Sequence, residues 1–151
     1  MSFHKILCPT DYSEGSREGL RIASQLAAES DGQLVIVHVW HAPSTYSPDM
    51  AFSPNTVETL RRDAEASLAA WKSEAEASGA KHVSMRFVTG TAWHELVEMI
   101  ERDREIDLVV MGTHGRTGLR HVMLGSVAEK VVRHAACPVL VVRARRLPIA
   151  A

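Results

Sequence analysis

The chain has 151 residues, of which 46% are hydrophobic and 23% are charged, and its formal net charge is −1. This length and apolar content predict a single domain spanning residues 1–151, with one buried core. The charge balance lacks the basic surplus of nucleic-acid-binding proteins. The sequence contains neither a secretion signal nor an apolar stretch long enough to span a membrane. We therefore expect a soluble cytoplasmic protein that binds neither nucleic acid nor a membrane.

Strand-like and helix-like segments alternate along the chain. Apolar and β-branched runs predict five strands, and apolar residues at helical spacing predict four helices between them. The proline-rich stretch His41–Asn55 predicts a loop. In chain order, the predicted elements are a strand at Lys5–Cys8, a helix at Gly19–Ser30, a strand at Gln33–Trp40, a helix from Val57 to Trp71 that is ended by Gly79, a strand at His82–Val88, a helix around Trp93–Ile100, a strand at Ile106–Gly112, a helix at Ser126–Ala135 and a strand at Pro138–Arg143.

This alternation predicts an α/β fold in which right-handed βαβ crossovers build an open parallel sheet with helices on both faces. Sheets of this kind bind ligands beyond the carboxyl ends of their strands, at the point where the strand order reverses. We therefore look for function in the segments that follow predicted strands, namely Cys8–Ser13, Trp40–Pro43, Val88–Ala92 and Met111–Ser126.

The segment after the fourth predicted strand has the pattern G-x-x-G, nine residues, G-S, formed by Gly112, Gly115, Gly125 and Ser126. It is neither a Walker phosphate loop nor a G-x-G-x-x-G dinucleotide motif. Glycine backbone and a helix start can together bind phosphate, because their amides point into one concavity and the helix dipole favours negative charge. A structural interpretation is equally open, in which Gly112 ends a strand and Ser126 forms a helix capping box with Glu129.

The stretch "MGTHGRTGLRHVMLGSVAEKVV" (Met111–Val132) resembles the nucleotide-binding signature of the universal stress protein family, G-2x-G-9x-G-[ST]. The opening "ILCPTDYSEGS" resembles the first strand and following turn of that family, and "CPVLVVR" resembles its last strand. The resemblance runs along the whole chain. It implies a Rossmann-like nucleotide-binding domain whose strands lie in the order 3-2-1-4-5, so that the turns after strands 1 and 4 face each other across one crevice.

The resemblance to ATP-binding members also implies a set of ligand contacts. Asp11 would contact the ribose, although a structural alternative makes it the N-cap of a helix with Glu14. Val39 would offer backbone groups to the adenine. The full set of expected nucleotide-binding residues is Pro9, Thr10, Asp11, Val39, Met111, Gly112, His114, Gly115, Arg116, Gly125, Ser126 and Val127. The expected ligand is ATP, with AMP or ADP as alternatives, and with Mg²⁺ bound mainly through the phosphates.

These features favour a nucleotide-dependent regulator of an unidentified protein partner in a stress response. The alternative is a nucleotide-independent dimeric interaction protein. An ATPase or phosphotransferase ranks last, because phosphoryl transfer needs a positioned metal carboxylate and a base, so we expect slow or negligible hydrolysis. The histidines supply no credible set of metal ligands. Family members pair through their last strand, which predicts a homodimer through Val139–Val142.

Overall fold

The computed structural model describes residues 2–42, 52–113 and 124–144. In these ranges five strands alternate with four helices, as the sequence predicts. They are β1 (Lys5–Pro9), α1 (Glu14–Ser30), β2 (Gln33–Trp40), α2 (Pro54–Ala77), β3 (His82–Thr89), α3 (Ala92–Arg102), β4 (Leu108–Gly112), α4 (Ser126–His134) and β5 (Val139–Val142).

The strands form one sheet in the order β3-β2-β1-β4-β5, and every neighbouring pair is parallel. In the register, Ile6 of β1 lies between Leu34 of β2 and Leu108 of β4. From β1 to β3 successive strands are added on one side of β1, and β4 and β5 are added on its other side, so the strand order reverses between β1 and β4. This arrangement confirms the predicted fold and strand order. The turns that follow these two strands therefore face the same crevice.

Alternating side chains of the sheet enter two separate hydrophobic layers. One layer lies under α1 and α2, and the other lies under α3 and α4, so the central strands are buried on both faces. The first layer contains Ile6, Cys8, Leu20, Leu34, Ile36, Leu68, Trp71 and Val110. The second contains Leu7, Val35, Val37, Leu96, Ile100, Val109, Met111 and Val131. No helix in the described ranges has the length and apolarity needed to cross a membrane.

Both cysteines are free thiols, but their surroundings differ. Cys8 is fully buried in the first layer, and this burial raises the pKa of its thiol to about 12. Cys137 is only half-buried, because the apolar strand beside it does not fully enclose its thiol. Burial also raises the pKa of Cys137, with a smaller contribution from the negative charge of Asp107.

Two helices begin earlier than the sequence predicts. α1 starts at Glu14 rather than Gly19, because its small first-turn residues are buried against the sheet although they carry no apolar pattern. α2 starts at Pro54, within the predicted loop His41–Asn55. Ser53 is its N-cap, and proline is well suited to the first helical turn, where its missing N–H would have no partner. Residues 43–51 of that predicted loop lie outside the described residues.

Candidate functional site

A cavity of about 270 Å³ opens at the carboxyl ends of the central strands, where the strand order reverses. The structure brings nine of the twelve sequence-predicted binding residues into its lining. These are Pro9, Thr10, Asp11, Val39, Met111, Gly112, Gly125, Ser126 and Val127. The other three, His114, Gly115 and Arg116, lie outside the described residues. The volume is close to the lower end of the range for small-molecule sites, about 300–1,000 Å³.

Sequence reasoning did not identify several residues of the cavity wall. Val37 precedes Val39 by two positions on β2, so strand alternation alone could have placed both on one face. Ala92 and Leu96 are one helical turn apart on α3, and no sequence signal shows how close that helix lies to the sheet. The lining residues that were missed are Ser16, Val37, Ala92, Leu96, Thr113 and Ala128.

The two sides of the cavity differ in chemistry. Val37, Val39 and Leu96 supply an apolar wall, which suits a flat aromatic or aliphatic group. The opposite wall consists of the end of β4 and the first turn of α4. The amides of a helix's first turn have no acceptor within the helix, and they lie at the positive end of its dipole. The cavity therefore combines an apolar surface with a site suited to an anion.

Gly125, not Ser126, is the N-cap of α4, and the structure shows no side-chain capping hydrogen bond there. The capping-box interpretation of Ser126 with Glu129 is therefore wrong, because Ser126 is already the first helical residue. Glu129 instead forms an ion pair with Arg133 one turn later. The exposed Ser126 hydroxyl does not serve as the helix cap, so capping does not explain a serine at this position.

Gly125 also closes the base of the segment that follows β4. Its N–H donates to the carbonyl of Thr113 at 2.7 Å, so the chain leaves and returns at one point. Its φ of −60° and ψ of 154° are angles that any residue adopts. Conformational freedom therefore does not account for glycine at position 125.

Gly112 has a packing role that its sequence context does not reveal. A Cβ atom at this position would lie 2.6 Å from the carbonyl carbon of Gly15 and 2.9 Å from the backbone nitrogen of Ser16. These are backbone atoms of α1, so a side chain would force the helix away from β4. Close packing of α1 accounts for Gly112, whether or not a ligand also approaches it.

Asp11 is held in a hydrogen-bonded cluster at the start of α1. Its Oδ1 accepts the N–H of Ser13 at 3.0 Å and the hydroxyl of Ser16 at 2.5 Å. Ser13 is the N-cap, and its side chain accepts the N–H of Ser16. The alternative in which Asp11 caps this helix with Glu14 is therefore wrong.

The cluster also sets the charge of Asp11. Burial by itself would raise the pKa of this carboxyl, but the hydrogen bonds from Ser13 and Ser16 outweigh it and hold the pKa below its ordinary value. The group is therefore a carboxylate at neutral pH. A carboxylate can only accept hydrogen bonds, so it suits the hydroxyl groups of a ligand and repels its phosphates.

Tyr12, between Asp11 and Ser13, adopts a left-handed conformation with φ of 64°. This conformation costs a residue with a side chain roughly 1–2 kcal/mol. The ring is stacked on His38 with 4.5 Å between ring centroids, and its hydroxyl donates to the carbonyl of Ala64 on α2. Contacts from two other elements therefore hold this turn.

The described residues include one group that could hold a metal ion, and it lies away from the cavity lining. His94, Glu95 and Glu98 on α3 have ligand atoms within 4.8 Å of one another. Glu98 also forms an ion pair with Arg102 at 2.6 Å, which competes with a metal for its carboxylate. Exposed acidic groups often cluster in this way, so the arrangement does not by itself define a site.

Comparison with known proteins shows which family the whole chain resembles. A family model described as "Universal stress protein family" matches residues 2–143. The universal stress protein MJ0531 of Methanocaldococcus jannaschii is 37% identical over 142 residues, which cover 93% of this chain and 82% of that protein.

Two solved structures show the same architecture. Universal stress protein UspA from Lactobacillus plantarum superposes with a TM-score of 0.82 at 22% identity, over 95% of this chain and 99% of that one. A universal stress protein solved in complex with cAMP superposes with a TM-score of 0.73 at 26% identity, over 96% of this chain and 100% of that one.

Proposed function

Because this chain belongs to the universal stress protein family, we propose that it binds an adenine nucleotide, in the first place ATP, in the cavity at the carboxyl ends of β1 and β4. One observation carries the proposal. A single cavity joins an apolar wall, an ionised carboxylate and the first turn of a helix. A base, a ribose and a phosphate chain need these three surfaces in this combination.

Each part of the nucleotide has a matching surface. The base lies against Pro9 and the apolar wall formed by Val37, Val39 and Leu96. A ribose hydroxyl donates to Asp11, whose charge strengthens such a hydrogen bond. The phosphates lie at the start of α4, where Ser126 adds a hydroxyl donor. His114, Gly115 and Arg116 are proposed to contact the outer phosphates.

A structural relative supports this choice of ligand. The universal stress protein solved with cAMP is 26% identical to this chain, and cAMP shares with ATP the adenine base and the ribose but carries one cyclic phosphate in place of the triphosphate. We extend that chemistry to ATP because the segment after β4 carries the complete G-2x-G-9x-G-[ST] pattern. AMP and ADP are alternative ligands of the same site.

Mg²⁺ would accompany ATP mainly through the phosphate oxygens. Asp11 is the one carboxylate among the described residues of the cavity lining, and its Oδ1 already accepts two hydrogen bonds. Mg²⁺ commonly retains several water molecules and binds through one or two carboxylates plus phosphates. The lining therefore fits a metal that arrives with the nucleotide, and the metal would neutralise phosphate charge.

The proposed role is regulatory, with slow or negligible ATP hydrolysis. Rapid phosphoryl transfer requires a carboxylate on the metal and a group that orients the nucleophile. Asp11 lies on the ribose side of the proposed ligand. Bound nucleotide would instead change the surface to which an unidentified protein partner binds during a stress response.

A second proposal concerns the assembly of two copies of the chain. The resulting dimer could also act as an interaction protein without a nucleotide. β5 is an edge strand, and its Leu140 is 39% exposed. An apolar edge strand invites pairing with another strand. We propose that two copies pair through Val139–Val142 across a two-fold axis. This dimer would remain an interaction module even if the cavity held no nucleotide.

Thermal unfolding with and without Mg-ATP tests the nucleotide proposal. A ligand that binds only the folded state stabilises it by about 2.7 kcal/mol at a concentration one hundred times its Kd. We expect Mg-ATP to raise Tm in proportion to the logarithm of its concentration, while inorganic triphosphate with Mg²⁺ raises it less. An unchanged Tm at millimolar Mg-ATP would contradict the proposal.

A further inference from the structure

The turn after β1 contains a residue whose conformation is unfavourable for its side chain. In the described residues, Tyr12 and Asp31 are the two non-glycine residues with a positive φ. Asp31 follows the end of α1, where a left-handed residue commonly ends a helix. Tyr12 precedes a helix and lies next to the cavity, so helix termination does not explain its conformation. Backbone strain of this kind is characteristic of functional sites.

Contacts from two elements, β2 and α2, hold the ring of Tyr12 in place. It stacks on His38 of β2, with an angle of 24° between the rings, and meets the edge of Trp71 at 5.6 Å. Its hydroxyl donates to the carbonyl of Ala64 on α2 at 2.5 Å. His38 is itself 2.8 Å from the carbonyl of Thr10 through Nδ1. The ring is therefore fixed from both β2 and α2.

The backbone of Tyr12 determines where the carboxylate of Asp11 points. The hydrogen bond from the N–H of Ser13 to Asp11 Oδ1 spans Tyr12. The φ and ψ of Tyr12 orient the peptide that carries this N–H. If Tyr12 left the left-handed conformation, the peptide that carries this N–H would rotate, and the Asp11 carboxylate would need a different orientation to accept it. Ser13 is also the N-cap of α1, so the helix start would shift with it.

We propose that Tyr12 is the positioning residue for Asp11: its ring, held between β2 and α2, maintains the left-handed turn that aims the carboxylate into the cavity. This inference rests on the proposed nucleotide site and adds a route by which α2 influences it. A displacement of α2 that takes both the Trp71 ring and the Ala64 carbonyl away from Tyr12 releases the turn. Asp11 then loses its fixed orientation, and the ribose loses a fixed acceptor.

The first test is made without a nucleotide. The carboxyl pKa of Asp11 is measured by carbon-detected NMR in the native protein and in Tyr12→Ala, Tyr12→Gly and Tyr12→Phe. Alanine removes the ring while the left-handed turn stays unfavourable, so we expect the pKa to rise towards the ordinary value. Glycine adopts the turn freely, so it restores part of the lowered pKa. Phenylalanine keeps the ring and loses only the hydroxyl, so its effect is the smallest.

Asp31→Ala is the matched control for this series. It alters the other left-handed residue and removes the ion pair of Asp31 with Lys81, which precede β2 and β3 and so lie at the opposite end of the strands from the cavity. We expect this variant to leave the Asp11 pKa unchanged. If Tyr12→Ala remains folded and the Asp11 pKa also stays unchanged, the positioning role is excluded.

The second test is a double-mutant cycle on Mg-ATP affinity. A hydrogen bond to a charged group is strong enough that its loss weakens binding about tenfold. We expect about this loss in Tyr12→Ala and in Asp11→Asn, and no further loss when both are combined. Fully additive losses would show that Tyr12 does not act through Asp11. If Mg-ATP fails to bind the native protein, the nucleotide proposal fails, while the pKa series still decides the role of Tyr12.

Discussion

At the scale of single residues, Asp11 shows how a local cluster fixes a charge at a site. Two hydrogen bonds from Ser13 and Ser16 favour the ionised form of its carboxyl more than burial disfavours it. The same hydrogen bonds hold the carboxylate in the cavity lining. Charge and orientation therefore have one origin, the hydrogen bonds at the start of α1.

Acid titration should reveal this cluster in the stability of the protein. Because the pKa of Asp11 is lower in the folded state, its hydrogen bonds contribute full stability above the ordinary aspartate pKa of about 3.9. This contribution is lost as the pH falls through the folded value. In urea unfolding between pH 2 and 6, we expect Asp11→Asn to lose less stability on acidification than the native protein. Identical pH profiles would contradict the assignment.

Two serines at helix starts provide a second comparison at this scale. Ser13 caps α1, whereas Ser126 lies one position after the N-cap of α4. Ser13→Ala should therefore lower the free energy of unfolding by about 1 kcal/mol. Ser126→Ala should change it by no more than about 0.5 kcal/mol, yet weaken Mg-ATP binding. Urea unfolding and calorimetric titration measure the two effects, and an equal loss of stability in both variants would refute the distinction.

At the scale of elements, the contact between α1 and β4 depends on glycine. A Cβ at Gly112 would lie within 3 Å of three backbone atoms of α1, whereas a Cβ at Gly19 would lie no closer than 3.5 Å to any atom of β4. The two positions are therefore sterically different, although they belong to the same interface.

Alanine substitution should separate these two glycines. Gly112→Ala should destabilise the ligand-free protein by about 1–3 kcal/mol, because backbone atoms must shift. Gly19→Ala should be neutral or stabilise the protein by up to about 1 kcal/mol, because alanine favours the helix interior. Thermal unfolding of both variants checks this order. A stable Gly112→Ala variant would mean that α1 can move away from β4 at little cost.

The sequence predicted the elements better than their ends. Apolar runs and helical spacing located all nine elements, because those patterns reflect burial against the sheet. The capping boxes proposed for Asp11 with Glu14 and for Ser126 with Glu129 were both wrong. The same residue types can face a ligand or form hydrogen bonds within a turn, and tertiary contacts decide between these roles.

The candidate site shows the same contrast. Motifs within short segments could be recognised in the sequence, whereas contacts between distant segments could not. The family resemblance pointed to residues at the strand ends and in the segment after β4. It could not reveal the left-handed turn at Tyr12, which depends on a ring from β2 and a carbonyl from α2. Nor could it show that close packing against the backbone of Gly15 requires glycine at position 112, because that contact joins segments far apart in the sequence.

At the scale of the whole molecule, the sheet has two edges of different character. β5 is short and apolar, whereas β3 at the other edge mixes polar and charged side chains with apolar ones. Each edge carries one exposed apolar side chain of similar exposure, Leu140 on β5 and Met85 on β3. The two positions form a matched pair for testing assembly.

Sedimentation should distinguish the two edges. We expect the native protein to sediment at twice the 16.6 kDa mass of the chain. Leu140→Lys should produce a monomer, because a two-fold axis brings the two new charges together. Met85→Lys should remain a dimer. A native monomer at micromolar concentration, or the same effect from both variants, would contradict pairing through β5.

The hydrogen bond between Gly125 and Thr113 has a consequence for how such a protein can diversify. This hydrogen bond fixes the end of β4 and the start of α4 relative to each other through described residues alone. Closure entropy changes slowly with the length of the intervening segment. Evolution could therefore change the length and sequence of the segment between Thr113 and Gly125, and with them the ligand preference, while the sheet and helices stay the same.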